Sequence, residues 1–172
     1  MRLSQLLPIL VEQPAADLDD LYYKLVGDDG PVQRLPKVAA ELKKKFERAG
    51  VAEYLQKPDP IELPEGVTIE APYGYRNGVY NLIDPVRLSG DPHHALERAS
   101  RRAIEGQWLH RHSIDMGRPQ RLIVVGELSG QEPAFADAVA TMLAQHEVKM
   151  FDLRNVEPLV EDIRRNAPVH KG

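Results

Sequence analysis

Ile69-Glu70-Ala71-Pro72-Tyr73-Gly74-Tyr75-Arg76-Asn77-Gly78-Val79-Tyr80-Asn81-Leu82-Ile83-Asp84-Pro85-Val86-Arg87-Leu88 decides how the chain is read. β-branched and aromatic residues fill both halves, and such residues suit a pleated, half-buried surface. Asn77-Gly78 between them supplies the positive φ values of a tight hairpin turn. The stretch therefore predicts two antiparallel strands, Val67 to Tyr75 and Val79 to Leu88. In the second, Val79, Asn81 and Ile83 fall on one face and Tyr80, Leu82 and Asp84 on the other. Pro85 has no N–H to give, which predicts weakened pairing or a bulge at that point.

Beyond the second strand, Asp91-Pro92 is a helix start, with Asp91 as N-cap and Pro92 at the first helical position. The helix is predicted to run to about Leu109, with Ala95, Ala99 and Ala103 allowing close packing and Leu96 and Ile104 beside them. Arg111 to Gln120 reads as a polar loop. Leu122-Ile123-Val124-Val125 is a short continuous apolar run, typical of a central strand buried on both faces. A helix from about Glu132 to His146 follows, with Phe135, Val139, Met142 and Leu143 as its apolar stripe. A strand from Val148 to Leu153 and a last helix capped by Asn155 complete the pattern.

Before the hairpin the periodicity is helical. Residues 3–12 form one short helical segment. Asp17 to Val26 is a second, with Leu18, Leu21, Tyr22 and Leu25 at i, i+3, i+4, i+7. Leu35 to about Leu55 is a third, with a break at Gly50. The proline-punctuated connector Lys57 to Pro64 marks the expected boundary. The expected fold is thus α/β (α+β). An N-terminal helical segment, residues 1–57, precedes a β-β-α-β-α-β-α mixed sheet flanked by helices, residues 58–172.

Composition narrows the function. The net charge of −4 argues against bulk attraction to nucleic acid or anionic membrane. The absence of cysteine excludes disulfides, thiolate zinc sites and cysteine nucleophiles. Leu6-Leu7-Pro8-Ile9-Leu10-Val11 is too short for a membrane span and lacks a signal-peptide pattern. A cytoplasmic protein with no membrane partner is expected.

The order of hairpin, long helix, buried strand, helix and strand over residues 66–154 resembles the core of the restriction-endonuclease-like, or PD-(D/E)xK, superfamily. In active members of that family the second hairpin strand carries an acid, a spacer and a lysine, which hold a divalent metal and activate water. Asp84 stands at the acid position here and Val86 at the lysine position. The chain is also similar to nuclease-like cores without catalytic residues in uncharacterised bacterial proteins. That resemblance implies a nuclease-like fold used for binding or regulation, in a bacterial or phage-encoded system.

The candidate residues follow from these readings. A Mg²⁺-dependent nuclease would use Asp84, Glu127 and Glu70 as metal-holding carboxylates; otherwise no cofactor is expected. Tyr73, Tyr75, Arg76, Tyr80 and Asn81 cluster on the hairpin. Aromatic residues with arginine are suited to protein contacts or to bases in single strands. Arg98, Arg101 and Arg102, with the lysines of the third helical segment, offer a nucleic-acid alternative. His93 and His94 start a helix whose far end precedes His110 and His112, so the two pairs cannot share one metal. Gly126-Glu127-Leu128-Ser129-Gly130 follows a strand but matches neither the dinucleotide fingerprint nor the P-loop. A protein partner or a homodimer is expected ahead of nucleic acid.

Overall fold

A computed structural model describes residues 35–167. The helices expected over 3–12 and 17–26 lie outside the described residues. The described residues form one compact unit. In chain order it contains α1 (Leu35–Arg48), a 3-10 turn (Ala52–Tyr54), β1 (Ile61–Glu62), β2 (Thr68–Ile69), β3 (Tyr73–Arg76), β4 (Tyr80–Arg87) and α2 (Pro92–Asp115). Then come β5 (Gln120–Glu127), α3 (Pro133–Gln145), β6 (Lys149–Asp152), a second 3-10 turn (Leu153–Asn155) and α4 (Glu157–Arg165). No helix among the described residues is long and apolar enough to cross a membrane.

The main sheet runs β3-β4-β5-β6, and β1 and β2 form a small antiparallel sheet of their own. β3 and β4 are antiparallel; β4, β5 and β6 are parallel. The fold is therefore α/β with a mixed sheet, and β3 to α4 follow the expected element order. Strand alternation sorts the core into two clusters. Leu82, Val86, Leu122 and Val124 meet α2 and α3 through Ala95, Ala99, Ala103, Val139 and Leu143. Ile83, Ile123 and Val125 meet α1 and α4 through Leu42, Phe46, Leu159 and Ile163.

Several expectations are corrected. The 57/58 boundary falls inside the compact unit, because α1 buries Leu42 and Phe46 against the sheet. The first hairpin strand is shorter: Thr68 and Ile69 pair with Glu62 and Ile61 instead. The turn carries three residues, Asn77 to Val79, and only Gly78 has positive φ, at 93°. β4 runs straight through Pro85. Tyr80 and Leu88 send their N–H groups to the β5 side, so alternation turns the imine nitrogen of Pro85 toward β3. β3 has already ended at Tyr73, opposite Ile83, and no ladder bond is lost.

α2 extends six residues beyond Leu109, since no breaker intervenes before Gly117, whose φ is 68°. The residues Arg111 to Asp115, expected in a loop, are therefore helical. α1 ends at Arg48, with Gly50 at φ 70° closing it. Asn155 does not cap α4; Val156 holds the N-cap position without a side-chain bond, and Asp152 caps the 3-10 turn through the Arg154 N–H.

Candidate functional site: a cleft at the hairpin turn

The turn end of the hairpin, the 3-10 turn after α1 and the C-terminal end of α4 enclose a cleft of about 460 Å³. Tyr54, Gln56, Tyr75, Arg76, Asn77, Ile163 and Asn166 are among its lining residues. Its polar wall is tied to one carboxylate. The Tyr75 hydroxyl donates to Asp162 Oδ2, and Asn77 Nδ2 donates to the same oxygen at 2.8 Å. Asn166 Nδ2 donates to Asp162 Oδ1 at 3.2 Å and to the Asp162 carbonyl at 2.8 Å. Burial and the neighbouring Asp162 carboxylate push the Tyr75 phenol far above its ordinary range, so it stays a donor.

Asn81 stands behind this wall. It is almost fully buried, and its Nδ2 donates to Asn77 Oδ1 at 2.8 Å and to the Val79 carbonyl at 3.1 Å. These bonds hold the three-residue turn in shape. Its Oδ1 and the Nε of Arg121, its register neighbour on β5, are buried without partners among the described residues.

Arg76 borders the cleft at the strand edge, and its side chain shares the sheet face of its register partner Tyr80. Its guanidinium lies over the Tyr80 ring, 5.5 Å from the centroid. Gly74 and Gln56 exchange both backbone hydrogen bonds, at 2.7 and 2.8 Å. Ladder alternation then turns the Arg76 N–H and C=O the same way, toward the open edge of β3. Tyr54 would occupy the next pairing position beside Arg76, but it belongs to the 3-10 turn. The sheet edge therefore opens into the cleft at Arg76.

The hairpin candidates divide in two. Tyr75 and Arg76 line the cleft and Asn81 supports it. Tyr73 instead packs edge-on against Phe46, ring centroids 5.3 Å apart, beneath α1. Tyr80 covers Gly74 on the other face, where any Cβ at 74 would collide with its ring. Asp162, Asn77 and Asn166 were not singled out from the sequence as site residues. The i, i+4 spacing of Asp162 and Asn166 on one side of α4 was the available signal.

The three carboxylates sit apart. Glu70 is exposed after β2, in the smaller sheet. Asp84 is opposite Val124, and Glu127 lies three residues further along β5, on the other face. Asp84 faces α2, where Arg102 Nε lies 2.6 Å from its Oδ2. This ion pair is close but misaligned, because Nε makes no hydrogen bond of proper geometry. Arg102 Nη1 also donates to Glu105 Oε2 at 2.7 Å. Burial outweighs the attraction of Arg102 and raises the Asp84 carboxyl to about 6. Arg102 is itself held charged, because two carboxylates face one guanidinium.

Glu127 accepts from the Ser129 N–H at 3.0 Å. Although partial burial opposes ionisation, bonds from Ser129 and Ser89 hold its carboxyl below the usual range. Among the described residues no three His, Asp or Glu side chains converge as a metal-holding group.

The arginine set is also divided. Arg102 is committed to Asp84 and Glu105. Arg98 donates to the Arg87 and Ser89 carbonyls at 2.6 and 3.3 Å, bracing the loop after β4. Arg101 is exposed on α2. His110 Nδ1 lies 3.2 Å from the Gln120 carbonyl, and the Ser113 hydroxyl bonds the His110 carbonyl. Serine and imidazole are thus each bonded to main chain. The chain matches no family model, no curated protein and no solved structure.

Proposed function

We propose that this chain is a binding or regulatory protein that holds a segment of a partner protein in the hairpin cleft and carries out no chemistry on it. The observation that supports this reading is the preorganised wall of the cleft. Asp162 already binds Tyr75, Asn77 and Asn166, so the wall keeps its shape without a ligand. Preorganisation lowers the ordering cost of association. Beside that wall, the open backbone of Arg76 offers a strand edge to an extended polypeptide.

On this reading the β3–β4 hairpin, α2 and β5 are a nuclease-like scaffold adapted to binding. The supporting features are Asp84 on the second hairpin strand, Val86 in the place of a lysine, and the engagement of Asp84 by Arg102.

The test is quantitative affinity capture from the source organism's lysate. It compares the wild-type chain, Arg76→Glu in the cleft, and Lys43→Glu on the exposed side of α1. The partner is expected with wild type and Lys43→Glu and reduced about tenfold or more with Arg76→Glu. Equal recovery by all three variants contradicts the reading. Cleavage of DNA or RNA in Mg²⁺ that Asp84→Asn abolishes would replace it with the nuclease reading.

A further inference from the structure

The outer face of α2 is self-complementary. Ala95, Ala99, Ala103, Gly106, Leu109 and Ser113 are its buried stripe. At 100° per residue, Glu97, Ile104 and Arg111 stand on the opposite side, in line at seven-residue intervals. Ile104 is 44% exposed, and Leu96 and Ile114, aligned with each other about 80° round the helix from it, are 42% and 53% exposed.

We propose that this face binds a second copy of the chain through an antiparallel α2–α2 contact with Ile104 on the two-fold axis. The charges select this partner and this direction. Glu97 and Arg111 lie seven residues to either side of Ile104, so an antiparallel copy brings Glu97 of each chain to Arg111 of the other. His93 and Asp115, eleven residues to either side, extend the same symmetry. On the flank, Leu96 of one copy meets Ile114 of the other. A parallel arrangement would instead set Glu97 against Glu97 and Arg111 against Arg111. Such an isologous contact is the usual geometry of a homodimer. The helix has 24 residues, roughly 36 Å at 1.5 Å per residue. One helix pair of that length buries less than a standard interface, so a concentration-dependent monomer–dimer equilibrium is expected.

Sedimentation equilibrium of the full chain, from roughly micromolar to near-millimolar concentration, tests the proposal. The wild-type mass should rise toward that of a dimer. Glu97→Arg and Arg111→Glu should each weaken association by about tenfold, since each sets like charges together. Combining them exchanges the charges on both sides of the axis and should restore association to near the wild-type value. Ile104→Glu should leave only monomer. All three positions changed are exposed, and circular dichroism checks that each variant is folded. A wild-type monomer throughout, single variants that associate like wild type, or a double variant no better than the singles would each overturn it.

Discussion

Asp84 on β4 and Arg102 on α2 meet across the interface of sheet and helix, Oδ2 to Nε at 2.6 Å, in a site where the carboxyl is almost fully buried. One guanidinium serves two carboxylates there, since Glu105 takes Nη1. A cost accompanies this arrangement at neutral pH. The folded chain holds the Asp84 proton up to about pH 6, whereas the unfolded chain releases it near 3.8. Between those values folding takes up a proton, so this group adds stability as pH falls and the gain is lost as pH rises through 6. The full swing is roughly 3 kcal/mol.

Asp84→Asn should therefore flatten the pH dependence of stability between about pH 6 and pH 4 relative to wild type. Urea unfolding at several pH values measures this directly. Parallel curves for the two proteins would show that Asp84 does not titrate in this range.

Gly106 lets α2 lie close to the sheet: a Cβ there would collide with Val148 Cγ2 and press on Leu122 Cβ at 3.4 Å. Gly106→Ala should destabilise the protein by about 1–3 kcal/mol from overpacking. That outcome opposes the gain of roughly 1 kcal/mol that alanine brings to an ordinary helix interior. Thermal unfolding of Gly106→Ala, Val148→Ala and the double variant checks the contact; the double variant should lose less than the sum.

Phe46 has no exposed surface and packs with Tyr73, Ile123 and α4 residues in the second core cluster. Phe46→Ala should cost about 3–5 kcal/mol of the unfolding free energy of the sheet core. A loss well below 1 kcal/mol would mean that α1 is an appendage, as the connector at Lys57 to Pro64 suggested.

Tyr75→Phe removes the hydroxyl that Asp162 accepts. A hydrogen bond to a charged group of this kind contributes about 1.5–3 kcal/mol. Denaturant unfolding should show a loss of that size, and Asp162→Asn should show a smaller loss from Tyr75→Phe added to it. Equal losses in both backgrounds would uncouple the pair.

Periodicity made the architecture legible where one force dominates. Leu122 to Val125 announces a strand buried on both faces, and Ala95, Ala99 and Ala103 announce the helix that covers it. Boundaries were less legible because they depend on partners distant in the chain. Thr68 and Ile69 look like the start of the hairpin strand, yet they pair with Ile61 and Glu62, and nothing local distinguishes the two fates. Pro85 looks like a break because the direction of its missing donor depends on where β3 ends. In the cleft, Tyr75, Arg76 and Asn81 were legible as hairpin residues, the aromatic ring and the arginine being suited to protein contacts. Asp162 was not legible, because its partners Tyr75 and Asn77 lie more than eighty positions away.

A partner segment held in the hairpin cleft would lie within reach of a photoreactive side chain placed there. The probe is p-benzoylphenylalanine in place of Gln56, an exposed lining residue whose backbone pairs with Gly74. In cells of the source organism irradiation should give a discrete adduct. Excess wild-type chain should compete it away, and excess Arg76→Glu chain should not. No adduct, or one formed equally well from a probe at Glu41 on the exposed side of α1, would contradict the binding of a partner segment in the cleft.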